Sequence, residues 1–141
     1  MKIKQLSIFL ENKAGRLAHI TQILADAGVN LLALSLADTT DFGILRIIAD
    51  DVDKAKETLK ANNMICMVNE VSAVEVEDKP GGLARILGLL QNRNINVEYM
   101  YAFSQRQTGQ AALILRFDDP EGAIECLTEA GINVFAHVDL L

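Results

Sequence analysis

Positive charge is scarce in this 141-residue chain: 13 Lys and Arg stand against 19 Asp and Glu, a net charge of −6. General nucleic-acid binding and adhesion to anionic membranes both rest on basic surface, so neither is expected. Long apolar runs are also missing. Leu31–Ala37 and Ala111–Leu115 fall far short of the ~20 residues that span a bilayer. Met1-Lys2-Ile3-Lys4-Gln5 has no apolar core of the kind that secretory signals carry. Only two cysteines occur, Cys66 and Cys126, and they form no motif. They read as small buried hydrophobes and reduced thiols, which fits a cytoplasmic protein.

Catalytic signatures are absent as well. His19 and His137 have no Cys or carboxylate at metal-ligand spacing and read as structural or surface residues. There is no phosphate-binding loop, no dinucleotide fingerprint and no nucleophile elbow. The expectation is a protein without catalytic residues, metal or cofactor, and not an enzyme. What remains is a folded composition, 50% hydrophobic and 23% charged.

The chain repeats itself. Glu11-Asn12-Lys13-Ala14-Gly15-Arg16-Leu17-Ala18 aligns with Glu77-Asp78-Lys79-Pro80-Gly81-Gly82-Leu83-Ala84 at an offset of 66. Over residues 11–31 against 77–97 there are eight identities in 21 positions, where unrelated sequence gives roughly one or two. Asp50–Ala55 matches Asp118–Ala123 at an offset of 68, so the second copy has two extra residues between its middle strands. The organisation expected is two small domains, residues 1–69 and 70–141, joined with almost no linker.

Each copy reads β-α-β-β-α-β. In the first, Ile3–Leu10 is a strand with Leu6, Ile8 and Leu10 on one face. Gly15 opens a helix whose Leu17, Ile20, Leu24 and Ala27 share a face, with Asn12 as a candidate cap and Gly28 at its end. Val29–Ala37 is a near-continuous apolar run and reads as a strand buried on both faces. Asp38–Asp41 is a turn and Gly43–Ala49 a strand; Asp51 or Asp53 starts a helix that ends at Asn62-Asn63, before a strand over Met64–Val68. The second copy follows with Val71–Val76, a helix over Gly81–Arg93, a half-buried alternating strand over Ile95–Phe103, a loop at Gln105–Thr108, Gln110–Phe117, a helix over Pro120–Ala130, and Ile132–Val138. This order predicts an α+β protein of two tandem ferredoxin-like βαββαβ sandwiches, each an antiparallel sheet with two helices on one face.

One feature carries chemistry, and it occurs twice. Asn12, Lys13, Ala14, Gly15, Arg16 and Leu17 in one copy, and Asp78, Pro80, Gly81, Gly82 and Leu83 in the other, lead from strand one into a helix. Free N–H groups and the dipole at a helix start favour an anion such as a carboxylate. Asn30, followed by Leu31, and Asn96 open strand two of each copy and offer both donor and acceptor. An amino acid presents a carboxylate and an ammonium close together, which such groups satisfy. The same residues also fit plain helix caps and turns.

The pattern Glu-Asn/Asp-Lys-Ala/Pro-Gly-x-Leu-Ala-x-Ile, a helix, then Gly/Asn-Val/Ile-Asn resembles the ACT domain, a small regulatory module that binds amino acids. It is particularly similar to the regulatory domain of phosphoglycerate dehydrogenase, where a loop Asn and a strand-two Asn hold a serine effector between two domains. That resemblance implies that Asn12 with Asn30, and Asp78 with Asn96, bind a free amino acid at a domain interface. It further implies side-by-side pairing of domains, within the chain or across a dimer. A core of about 70 residues is marginal alone, so a homodimer is expected to share stability, and with no catalytic domain expected in the chain any effect on an enzyme passes to a separate protein. Two features set the copies apart. Asp78 replaces the amide, and Arg16 stands where the second copy has Gly82. Residues 1–70 carry eight basic and nine acidic side chains, residues 71–141 five and ten. The first copy is therefore expected to be the better carboxylate site.

Overall fold

The chain alternates strands and helices as β1 (Ile3–Glu11), α1 (Arg16–Asp26), β2 (Leu31–Asp38), β3 (Phe42–Ala49), α2 (Val52–Ala61), β4 (Cys66–Glu77), α3 (Gly82–Asn92), β5 (Val97–Ser104), β6 (Gln110–Phe117) and α4 (Pro120–Glu129). This computed structural model describes residues 2–38, 41–104 and 109–137. The Gln105–Thr108 loop, the centre of the Asp38–Asp41 turn and the end of the Ile132–Val138 strand lie outside them. The elements form two βαββαβ ferredoxin-like units. One is Lys4–Asn69; the other is Glu70–Leu141 together with Met1–Ile3.

In the Lys4–Asn69 unit β1 pairs antiparallel with β3, Leu6 opposite Ile47 and Glu11 opposite Phe42. β3 pairs with β2 on its other side. The chain leading into β4 lies against β1, with Phe9 N–H donating to the Ile65 carbonyl at 3.3 Å. Strand alternation puts Leu6, Ile8 and Leu10 on one face, where they join Leu45 and Ile47 under Ile20 and Leu24 of α1 and Ala55 and Leu59 of α2. The second unit repeats this. β6 lies between β4 and β5, and Val74, Leu113 and Leu115 pack under Ile86, Leu90, Ala123 and Leu127.

Three expectations change. Val29–Ala37 read as a strand buried on both faces, but in β2 only Ala33 is buried. Among the described residues β2 has a single sheet neighbour, β3, and so lies at a sheet edge, where Leu34 and Leu36 are half exposed. The separate strands expected at 64–68 and 71–76 are one twelve-residue strand, β4. Val68-Asn69-Glu70-Val71 contains neither Gly nor Pro to break it. The final strand is only a bridge among the described residues, Val134 with Val74.

The helix ends preserve the repeat through a change of residue. Gly28 and Asn94 follow α1 and α3, and Asn63 and Gly131 follow α2 and α4; all four have positive φ. Only Gly and Asn enter this region readily, and here they replace one another. No helix among the described residues is long and apolar enough to cross a membrane.

Candidate functional site

The starts of the four helices are of two kinds. α2 and α4 are capped by aspartates: Asp51 accepts from Lys54 N–H at 3.0 Å and Asp119 from Gly122 N–H at 3.1 Å. α1 and α3 begin at Gly15 and Gly81, each at φ 86°, and no side chain caps them. Asn12 is thus not the α1 cap. Its backbone N–H instead donates to Asp41, as Asp78 donates to Gly109, both at 3.0 Å. The left-handed glycine turns the chain into the helix without a side-chain oxygen. Arg16 N–H and Gly82 N–H turn back to the Lys13 and Lys79 carbonyls at 3.3 and 3.1 Å. The next first-turn N–H groups, at Leu17 and Ala18 and at Leu83 and Ala84, take no side-chain cap and keep their capacity for an external anion.

Beside each uncapped start lies a cleft. In the Lys4–Asn69 unit it measures about 270 Å³ and is lined by Phe9, Leu10 and Glu11 of β1, and by Arg16, His19 and Ile20 of α1. Phe42 of β3 and Asn63, Met64 and Ile65 ahead of β4 close it. In the other unit the cleft is about 140 Å³, lined by Glu75, Val76, Glu77, Gly82, Arg85 and Ile86, and closed by Gln110, Gly131, Ile132 and Asn133. Every lining residue of one cleft is the repeat partner of a lining residue of the other. The offset is 66 through the strand and helix and 68 beyond the insertion, so Phe9 answers to Glu75 and Ile65 to Asn133.

Of the residues expected from sequence, Arg16 and Gly82 line these clefts. Asn12, Lys13, Ala14 and Gly15, and Asp78, Pro80 and Gly81, form the exposed loops at their edge. Leu17, Leu31 and Leu83 turn inward against the cores. Asn30 and Asn96 stand elsewhere. Asn30 N–H is held by Asp50 and Asn96 N–H by Asp118, both at 2.9 Å. From Asp41, beside Asn12, to Asp50 is nine steps along β3, roughly 30 Å at about 3.3 Å per residue. Because β2 starts where β1 starts, neither unit by itself brings its loop and its Asn together. Asn96 instead lines a separate cleft of about 220 Å³ with Gln91, Asn94 and Ile95.

The wall residues Phe9, Phe42, Ile65, Glu75, Gln110 and Asn133 lie outside the loop motif. Carrying the repeat alignment two residues back into the first strand reaches Phe9 and Glu75, and carrying it past the helix into the third strand and the approach to the fourth reaches Phe42, Ile65, Gln110 and Asn133.

Each cleft holds a carboxylate beside a lysine. Glu11 pairs with Lys13 at 2.9 Å and lies 3.8 Å from Arg16, while Glu77 pairs with Lys79 at 2.6 Å. Hydrogen bonding and charge from Lys13, then the charge of Arg16, hold Glu11 below the ordinary glutamate range. Lys79 does the same for Glu77. A lowered folded-state value means that the favourable pairing is complete above the ordinary glutamate range and is lost as pH falls through the lowered value. Carbon-detected NMR titration of the side-chain carboxyls should give both glutamates midpoints below that of a free glutamate. Lys13→Ala should return Glu11 toward the ordinary value and leave Glu77 where it was. Equal movement of the two would contradict this pairing. Among the described residues no group of three or more His, Cys, Asp or Glu could hold a metal ion.

The family model of the ACT domain pair matches residues 1–141. No curated protein matches the sequence. The crystal structure of protein BT0572 from Bacteroides thetaiotaomicron superposes with a TM-score of 0.90 at 41% identity, over 96% of this chain and 92% of that one. The regulatory subunit of aspartate kinase from Thermus thermophilus, in its ligand-free form, gives 0.65 at 15% identity, over 90% of this chain and 91% of that one. Clostridium acetobutylicum aspartate kinase gives 0.53 at 18% identity, over 92% of this chain but 33% of that enzyme. At such identities the last two share the fold with this chain.

Proposed function

The chain belongs to the ACT domain pair family, and from this we propose that it is a non-catalytic regulatory protein of the cytoplasm that binds a free amino acid at an ACT-domain interface. The observation that carries the reading is the twice-repeated cleft beside a helix start that no side chain caps, with a lysine-paired glutamate on its wall. The helix-start N–H groups receive the ligand carboxylate, and Arg16 strengthens this in the first unit. Glu11 or Glu77 receives the ammonium. Because Asn30 lies far from its own loop, the complementary Asn comes from a neighbouring ACT domain. Ligand then favours one domain packing over another in a homodimer, and a separate enzyme reads the change.

A second reading is a regulatory or assembly subunit of an amino-acid-metabolism enzyme that acts through protein contacts alone. The half-exposed Leu34 and Leu36 on the edge strand β2 favour it.

A thermal-shift screen of the full chain against the twenty amino acids tests the first reading. An effector at about 100 times its Kd should stabilise the protein by about 2.7 kcal/mol. Glu11→Gln together with Glu77→Gln should abolish most of that shift. No shift with any amino acid would leave the contact-only subunit.

A further inference from the structure

The two clefts share one half of their chemistry and differ in the other. The shared half is the lysine-paired glutamate, Glu11 or Glu77, and the uncapped helix start behind the left-handed glycine. These are the groups that suit the ammonium and carboxylate common to all amino acids. The differing half is one wall. In the Lys4–Asn69 unit it is Phe9, Phe42 and Ile65, which remain 45%, 59% and 71% exposed. In the other unit the same three repeat positions are Glu75, Gln110 and Asn133, and the Asn133 amide donates to the Glu75 carboxylate at 3.1 Å. Phe9 with Ile65, and Glu75 with Asn133, are joined by the equivalent backbone hydrogen bond, at 3.3 and 2.9 Å. The exchange of side chains thus occurs on a constant backbone frame.

We infer that the first cleft takes an amino acid with a large apolar side chain, of the leucine or phenylalanine kind, and that the second cleft rejects this class in favour of a small polar one. The inference rests on the amino-acid-binding reading above and adds the identity of the side chain. Three large apolar groups held at the solvent boundary gain by being covered with apolar surface. Strand alternation turns Phe9, Phe42 and Ile65 to the sheet face away from the core residues Leu10 and Leu45, the face that Glu11 shares as the cross-strand partner of Phe42. A leucine or phenylalanine side chain therefore supplies that cover once its backbone groups are anchored at Glu11 and at Arg16, 3.8 Å from it. The opposite holds in the second cleft. An apolar side chain there would strip water from the Glu75 carboxylate and the Gln110 amide without replacing their hydrogen bonds. Size acts in the same direction: the first cleft offers about 270 Å³ and the second about 140 Å³. Both lie near or below the ~300 Å³ lower end of drug-sized sites, which suits a metabolite.

Calorimetry on the full chain with leucine, phenylalanine, serine and glutamine tests this. Leucine or phenylalanine should bind at one site per chain. Phe42→Gln with Ile65→Asn gives the first wall the polarity of the second and should weaken that binding at least tenfold. Both residues are more than half exposed, so the fold should tolerate the change. The reciprocal Gln110→Phe with Asn133→Ile should create a second, weaker leucine site. Binding of serine or glutamine but of neither apolar amino acid would overturn the inference while leaving the amino-acid-binding reading intact. So would leucine affinity unmoved by Phe42→Gln with Ile65→Asn. If those substitutions change the sedimentation of the protein and leave leucine binding alone, the wall is a contact between copies and the inference falls. Absence of binding by any of the four amino acids to the unsubstituted protein and to both variants, with no shift in the wider thermal screen, would instead defeat the amino-acid-binding reading itself.

Discussion

Leu24→Ala should lower the stability of the Lys4–Asn69 unit by about 2–5 kcal/mol, a large share of what a domain of this size possesses. Leu24 is fully buried and belongs to the cluster that joins α1 to Leu6, Ile8, Leu45 and Ile47. Truncation removes its transfer free energy and leaves a void that a sheet on one side and α2 on the other cannot close. The effect should extend to the cleft, since α1 also carries Arg16 and His19 to its wall. Urea unfolding of the full chain, followed by circular dichroism, measures the loss. Leu34→Ala is the comparison. It removes the same atoms from an edge-strand residue that is 52% exposed, and it should change stability by no more than about 0.5 kcal/mol. Similar effects from the two would mean that α1 is not anchored as described.

Gly82→Val should have the next largest effect, through backbone collision. A Cβ at Gly82 would stand 2.2 Å from the Glu77 carbonyl oxygen and 3.4 Å from Val76 Cγ2. The closer atom belongs to the main chain, so either the loop or the start of α3 must move. Overpacking of this kind costs about 1–3 kcal/mol, and a β-branched side chain adds crowding in the first turn. Glu77 and Gly82 both line the second cleft, so ligand binding there should fail while the first cleft is unaffected. Gly88→Ala is the control of opposite sign. Gly88 lies inside α3 with open space where a methyl group would stand, and alanine there should stabilise the helix by about 0.5–1 kcal/mol. A stable Gly82→Val protein with an intact second cleft would show that the loop yields more easily than a backbone contact implies.

Much of the fold was legible in the sequence because it is written in period and punctuation. Leu17, Ile20, Leu24 and Ala27 recur at helical spacing, and Leu6, Ile8 and Leu10 alternate as a strand does. The repeat then doubled each such signal. Failures came where burial depends on neighbours that no local pattern names. Val29–Ala37 is as apolar as a central strand, yet among the described residues β2 has a partner on one side only. Asn12 has the chemistry of a cap, but the left-handed turn at Gly15 starts the helix three residues later.

The site divides along the same line. The ACT-like loop, its Glu-x-Lys pair and its glycine are set by the order of residues alone, because short-range backbone geometry requires those residues at that spacing. The chemical inequality of the two copies is set there too. What faces the loop is settled by the folded arrangement. Sheet order places Phe42 and Ile65 around the cleft that Glu11 lines, and Gln110 and Asn133 around the one that Glu77 lines, although they are distant from those glutamates in sequence, and it carries Asn30 and Asn96 to the far end of each sheet. A strand's direction fixes which end of the sheet each of its residues reaches. Local sequence specifies the strand, whereas its direction relative to the others follows from packing the whole unit.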